Sequence, residues 1–106
     1  MKLEIKGIID SVHPARKAGK GFRQMIVVRQ PPKTDEFGDP IMSEQYFPIS
    51  IYSQSESSSR FVAKELLGEK VNAKVYLNGR KWVGNRGAEY AINANLKELE
   101  RIKIDS

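Results

Sequence analysis

Residues 60–79, RFVAKELLGEKVNAKVYLNG, decide the reading of the fold. Val62 and Leu66 stand one helical turn apart, as do Ala63 and Leu67, and Gly68 follows where a left-handed cap belongs. This predicts a short helix over 60–67. The pattern then changes period. Val71, Ala73, Val75 and Leu77 alternate with Asn72, Lys74 and Tyr76, which predicts a half-buried strand over 70–77. Asn78-Gly79 then reads as a hairpin turn.

Upstream of the helix lie three strand patterns. In residues 2–12, KLEIKGIIDSV, Leu3, Ile5, Gly7 and Ile9 share one side, and Gly7-Ile8 break the alternation as a strongly coiled strand would. Residues 22–30, FRQMIVVRQ, place Phe22, Gln24, Ile26 and Val28 on one face. Residues 45–53, QYFPISIYS, turn Phe47, Ile49 and Ile51 inward and Tyr46, Pro48, Ser50 and Tyr52 outward. Pro48 cannot donate to a ladder and implies an edge or a bulge. A basic Gly/Pro loop, 13–21, joins the first two strands. A long acidic, proline-rich connection or hairpin tip, 31–44, joins the next two. Residues 54–59, QSESSS, are a polar linker able to cap a helix.

Downstream, the glycine-broken basic segment 80–87 leads to a fifth strand, 89–97, with Tyr90, Ile92, Ala94 and Leu96 inward. Residues 98–106 fit either a helical turn or a strand. The order is β-β-β-α-β-β. Five antiparallel strands with one helix between the third and fourth is the order of the oligonucleotide-binding (OB) barrel, an all-β fold. An SH3-like barrel is the runner-up, and the short helix speaks against it.

The chain has 106 residues, which suits one domain, 1–106. No apolar run approaches the ~20 residues of a membrane helix. The N-terminal MKLEIKG lacks the apolar stretch of a signal peptide, so a cytoplasmic location is expected. There is no cysteine, hence no disulfide, thiolate metal site or cysteine nucleophile. His13 is the only histidine and has no acidic residue near it in sequence, which argues against both zinc and a catalytic base. Ala18-Gly19-Lys20-Gly21 lacks the second half of a phosphate loop and precedes a strand rather than a helix. A non-enzymatic protein without cofactor or metal is expected.

Net charge is +5, and it is unevenly spread. Residues 1–30 hold seven Lys/Arg against two acids, and residues 71–97 hold five against one. Residues 31–70 hold four against seven acids. The OB order brings the loop after strand one and the loop after strand four to flank one face. Those are the basic loops: Arg16, Lys17, Lys20 and Arg23 on the first, Arg80, Lys81 and Arg86 on the second. Outward Lys74, Tyr52 and Tyr76, with Trp82 in the second loop, complete a candidate nucleic-acid face. Cations would follow phosphates and flat rings would stack on bases. Phe22 fits the core better than the face, and Trp82 suits either stacking or anchoring its loop.

Several stretches also carry a resemblance. They are Gly7-Ile8-Ile9, Lys17-Ala18-Gly19-Lys20-Gly21-Phe22, Tyr46-Phe47-Pro48-Ile49, and Val71 to Arg80 leading to Trp82. Together they resemble a family of short bacterial OB proteins similar to single-stranded DNA-binding proteins. The resemblance implies an OB fold and single-stranded DNA as partner. The segments 31–44 and 81–88 are longer than the family pattern. RNA is a variant that the sequence does not separate from DNA. The rival reading is a protein-interaction or homo-oligomerisation module, in which strand 45–53, with Tyr46, Phe47 and Tyr52, pairs with another copy.

Overall fold

A computed structural model describes residues 2–102. Its strands are β1 (Lys2–Val12), β2 (Arg16–Ala18), β3 (Gly21–Gln30), β4 (Lys33–Thr34), β5 (Pro40–Met42), β6 (Gln45–Ser53), β7 (Lys70–Gly84) and β8 (Gly87–Arg101). Five long strands close on themselves. β1 pairs with β7, β7 with β8, β8 with β6 in parallel, β6 with β3, and β3 with β1. This is the closed five-stranded OB barrel, all-β as the sequence implies.

β1 makes closure possible by serving two neighbours. Lys2 to Ile8 pair with β7, whereas Ile8 to Val12 pair with β3, with a bulge between Ile9 and Ser11. Gly7 stands where the partners change. A Cβ there would lie 2.5 Å from the Arg29 carbonyl oxygen and 2.8 Å from Val28 Cγ1. Only glycine lets β3 cross so closely. Inside the barrel, Ile9, Ile26, Val28, Ile49, Ile51, Val71 and Val75 are fully buried, and Ile5, Val62, Ala73 and Leu96 complete the core. Pro48 lies opposite Val27 on β6, whose second edge meets β8 only at Ser50 and Asn95. A missing N–H therefore costs little there.

Expectations for the helix, the Asn78-Gly79 turn, the segment 80–87 and inward Tyr90 and Ile92 are corrected. The helix over 60–67 is a single 3-10 turn, Lys64–Leu66, in the expected place between the third and fourth long strands. The reason is Gln24, a buried residue on the inward face of β3. Its Nε2 donates to the Val62 carbonyl (2.8 Å) and its Oε1 accepts from the Val62 N–H (2.7 Å). Val62 is thereby held to the barrel, Ala63 stays extended, and Leu66 N–H turns to the Ala63 carbonyl instead. Gly68 does take a left-handed φ of +85°, and its N–H reaches the Ile9 carbonyl.

Asn78-Gly79 is not a turn. Asn78 pairs with Asn93 and Gly79 with Ile92, and pairing continues to Gly84 opposite Gly87. The chain reverses at Asn85-Arg86, closed by Gly87 at φ +102°. The residues beyond position 79 include strand formers (Trp82, Val83, Tyr90, Ile92), and the second Asn–Gly region offers a reversal farther out. The segment 80–87, expected to be a loop, is thus the end of a two-stranded arm. As a consequence Tyr90 and Ile92 continue the inward series but lie past the barrel and are exposed.

The tail is strand through Arg101, which decides the strand alternative for 98–101; residues 103–106 lie outside the described residues. The connection 31–44 is the hairpin-tip alternative, with β4 and β5 paired.

Candidate nucleic-acid interface

The first basic loop folds back as β2 along the start of β3, with Arg16 opposite Arg23, Lys17 opposite Phe22 and Ala18 opposite Gly21. Pairing two arginines is unfavourable unless something else satisfies them. Arg23 finds a partner across the barrel wall: its Nε and Nη2 donate to Ser50 Oγ at 3.1 and 2.9 Å. Between the two arginines lies an open groove of about 400 Å³ lined by His13, Pro14, Arg16, Lys17, Ala18, Arg23 and Met25. Its lining combines the cations Arg16, Lys17 and Arg23 with the apolar Pro14, Ala18 and Met25. Lys17 shares the side of half-buried Phe22, and Lys20 stands in the turn beyond.

Registers carry the outward surface onward. Arg23 is opposite Tyr52 and Met25 opposite Ser50; Ser50 meets Asn95; Asn95 is opposite Tyr76; Tyr76 is opposite Lys2. Cross-strand partners share a face. These residues therefore form one strip across six strands, from Arg16 on β2 and Arg23 on β3 to Tyr76 on β7 and Lys2 on β1. From Tyr76 the same side of β7 runs along the arm through Asn78, Arg80 and Trp82. Tyr52 is 51% exposed and Trp82 46%. The rings are open to a ligand rather than packed.

Not every candidate falls on the strip. Lys81 lies on the opposite side of the arm, its ammonium 5.9 Å from the Tyr90 ring centre. Arg86 occupies the terminal turn. Lys74 is engaged by Glu98 and Glu100, each at 3.6 Å. Attraction from Glu100 and then Glu98 raises its pKa. The two basic segments do not share a groove: the first stands at the Ser53 end of β6. The arm leaves toward the other end, because β8 runs parallel to β6.

Two cations escape a reading of the sequence. Lys97 and Lys2 place their ammonium groups 5.5 and 5.7 Å from the Tyr76 ring centre. The Lys97 hydrogen bond holds the Tyr76 hydroxyl below its ordinary pKa, and Tyr76 in turn raises that of Lys97. Lys2 alternates with apolar Leu3 and Ile5 in the sequence much as Tyr76 does with Val75 and Leu77. What the sequence lacks is the adjacency of β1, β7 and β8.

Among the described residues, none of Arg16, Lys17, Lys20, Arg23, Arg80, Lys81 and Arg86 is paired with a carboxylate, whereas Arg29, Lys74 and Arg101 are. Nor, among the described residues, does any group of three or more His, Asp or Glu stand ready to hold a metal.

The whole trace has known counterparts. A Plasmodium falciparum SSB solved in complex with ssDNA superposes with a TM-score of 0.66 at 15% identity, over 96% of this chain and 94% of that one. The yeast mitochondrial single-stranded DNA-binding protein Rim1 gives 0.65 at 13% identity, over 97% and 95%. A small single-stranded DNA-binding protein from Streptomyces coelicolor gives 0.58 at 14%, over 96% and 94%. The fold is that of the SSB proteins. No family model matches the chain, and no curated protein matches it by sequence. The SSB-like OB barrel implied by the resemblance is thus present, shared at an identity that speaks for the fold alone.

Proposed function

We propose that the chain binds single-stranded DNA, without catalysis and largely without regard to sequence, along the strip from Arg16 and Arg23 to Arg80 and Trp82. The observation that carries this is the combination of cations without carboxylate partners and the exposed rings of Tyr52 and Trp82 on one outward side of the sheet, with half-buried Tyr76 between them. Cations left without carboxylates repel one another, and a polyanion relieves that repulsion. Tyr52, Tyr76 and Trp82 offer platforms for bases, which stack on any aromatic face. Lys2 and Lys97 beside Tyr76 would seat phosphates next to a stacked base. Lys17, Lys20, Lys81 and Arg86 contribute to the surrounding field rather than to the path.

Trp82 is the only tryptophan, so its fluorescence reports on the arm directly. Oligo-dT is expected to quench it and to bind by anisotropy at low salt; absence of binding at low salt refutes the reading. Stacking is worth ~1–3 kcal/mol per base, so Tyr52→Ala with Trp82→Ala should weaken binding at least tenfold. Unchanged affinity would remove both rings from the path. Competition with an RNA oligonucleotide of equal length sorts DNA from RNA preference.

A further inference from the structure

The arm formed by β7 and β8 has a second side that the DNA path leaves unused. Opposite Arg80 and Trp82 it presents Lys81, Val83, Tyr90 and Ile92. Val83 is 77% exposed, Tyr90 71% and Ile92 75%. These side chains continue the inward series of the barrel past the point where the barrel can cover them. Neighbouring exposed apolar groups of this size mark a contact surface.

The chain carries one other protrusion of matching character. The β4–β5 hairpin exposes Phe37, Ile41 and Met42. Its charge is opposite: residues 33–44 contain Asp35, Glu36, Asp39 and Glu44 against Lys33, whereas residues 78–93 contain Arg80, Lys81 and Arg86 against Glu89. It is also stiff. Asp35 Oδ1 accepts from the N–H groups of Phe37 and Asp39, both at 2.9 Å, and Gly38 N–H closes the turn on the Asp35 carbonyl. Phe37 is thereby held out at the tip, so little ordering entropy remains to be lost on docking. Within the chain, neither apolar set is covered by the other.

We infer that the acidic β4–β5 hairpin of one copy docks on the Lys81–Val83–Tyr90–Ile92 side of the β7–β8 arm of a second copy. Phe37 packs among Val83, Tyr90 and Ile92, while Glu36 and Asp39 face Lys81 and Arg86. The contact uses different surfaces on the two copies. It leaves Arg80 and Trp82 free and engages Lys81 and Arg86, which lie off the proposed nucleic-acid path.

Sedimentation velocity over a concentration series, at low and high salt, tests it. Self-association is expected, weaker at high salt. Phe37→Ser, or Val83→Ser with Ile92→Ser, should weaken it about tenfold or more, since buried apolar anchors dominate such contacts. Both sets are exposed, so circular dichroism should show an intact barrel. Glu36→Lys/Asp39→Lys and Lys81→Glu/Arg86→Glu should each lose self-association alone and regain it when the two variants are mixed. A monomer at all concentrations overturns the inference. So does self-association untouched by either apolar set, or failure of the mixed charge variants to pair. Oligo-dT binding by the Val83→Ser/Ile92→Ser variant should stay within about threefold of the parent. Loss of self-association with retained DNA binding therefore separates this contact from the nucleic-acid reading.

Discussion

Gly7 and Gln24 show how single residues set the barrel. Gly7 has no side chain because the backbone of Arg29 occupies that space. A carbonyl held in a ladder cannot step aside as a flexible side chain would. Gly7→Ala should therefore destabilise by about 1–3 kcal/mol, the usual cost of overpacking. Urea denaturation measures it, and an unchanged midpoint would mean that β3 yields. Gln24 is polar inside an apolar core because it satisfies three backbone groups, His13 C=O, Val62 C=O and Val62 N–H. Gln24→Ala leaves the Val62 groups buried without partners, which costs about 1–3 kcal/mol. The same substitution should loosen the segment around residue 62 in hydrogen exchange before the rest of the barrel opens. The alternation of β3 places Gln24 inward in the sequence; its partner, 38 residues away, is not visible there.

At the scale of elements, the long β7–β8 arm carries part of the proposed binding path outside the core. None of its residues beyond Leu77 and before Ala94 belongs to the core cluster. Removing residues 80–91 and closing Gly79 to Ile92 through an Asn-Gly turn should shift the melting temperature by no more than about 5 °C. Oligo-dT binding should fall at least tenfold, because Arg80 and Trp82 go with the deletion. A collapse of the fold would show that the arm supports the barrel. Strand patterns and their faces were legible along the chain, since alternation is a local property. The end of the arm was not. Asn78-Gly79 is a strong local signal for a turn, but continued cross-strand pairing outweighs it. The helix over 60–67 failed for a related reason: its periodicity is real, yet the tie from Gln24 fixes Val62 in an extended path.

Across the whole molecule, charge partition rather than net charge governs the proposed activity. Lys2, Arg16, Arg23, Arg80 and Lys97 line the path. If they neutralise about five phosphates, the logarithm of oligo-dT affinity should fall against the logarithm of salt with a slope near −3 to −4. A slope close to zero would mean that phosphates are not the main contact. The acidic 33–44 hairpin is exposed along its two short strands and carries the opposite charge.

By itself the sequence determined the alternation of five strands, the break at Gly7, the place of the 3-10 turn and the sign of each segment's charge, but not burial at Leu3, Ser50, Asn72, Tyr90 and Ile92. These follow from side-chain period, from glycine's conformational freedom and from composition, all readable within a few residues. Tertiary structure alone decided how far the last two strands pair and that Ser50, Asn95 and Tyr76 join into one strip. It also decided that Lys2 and Lys97 share a tyrosine and that Lys81 faces away from Trp82. Each of these depends on register between strands distant in the chain, and register is set by the closure of the barrel rather than by any strand alone.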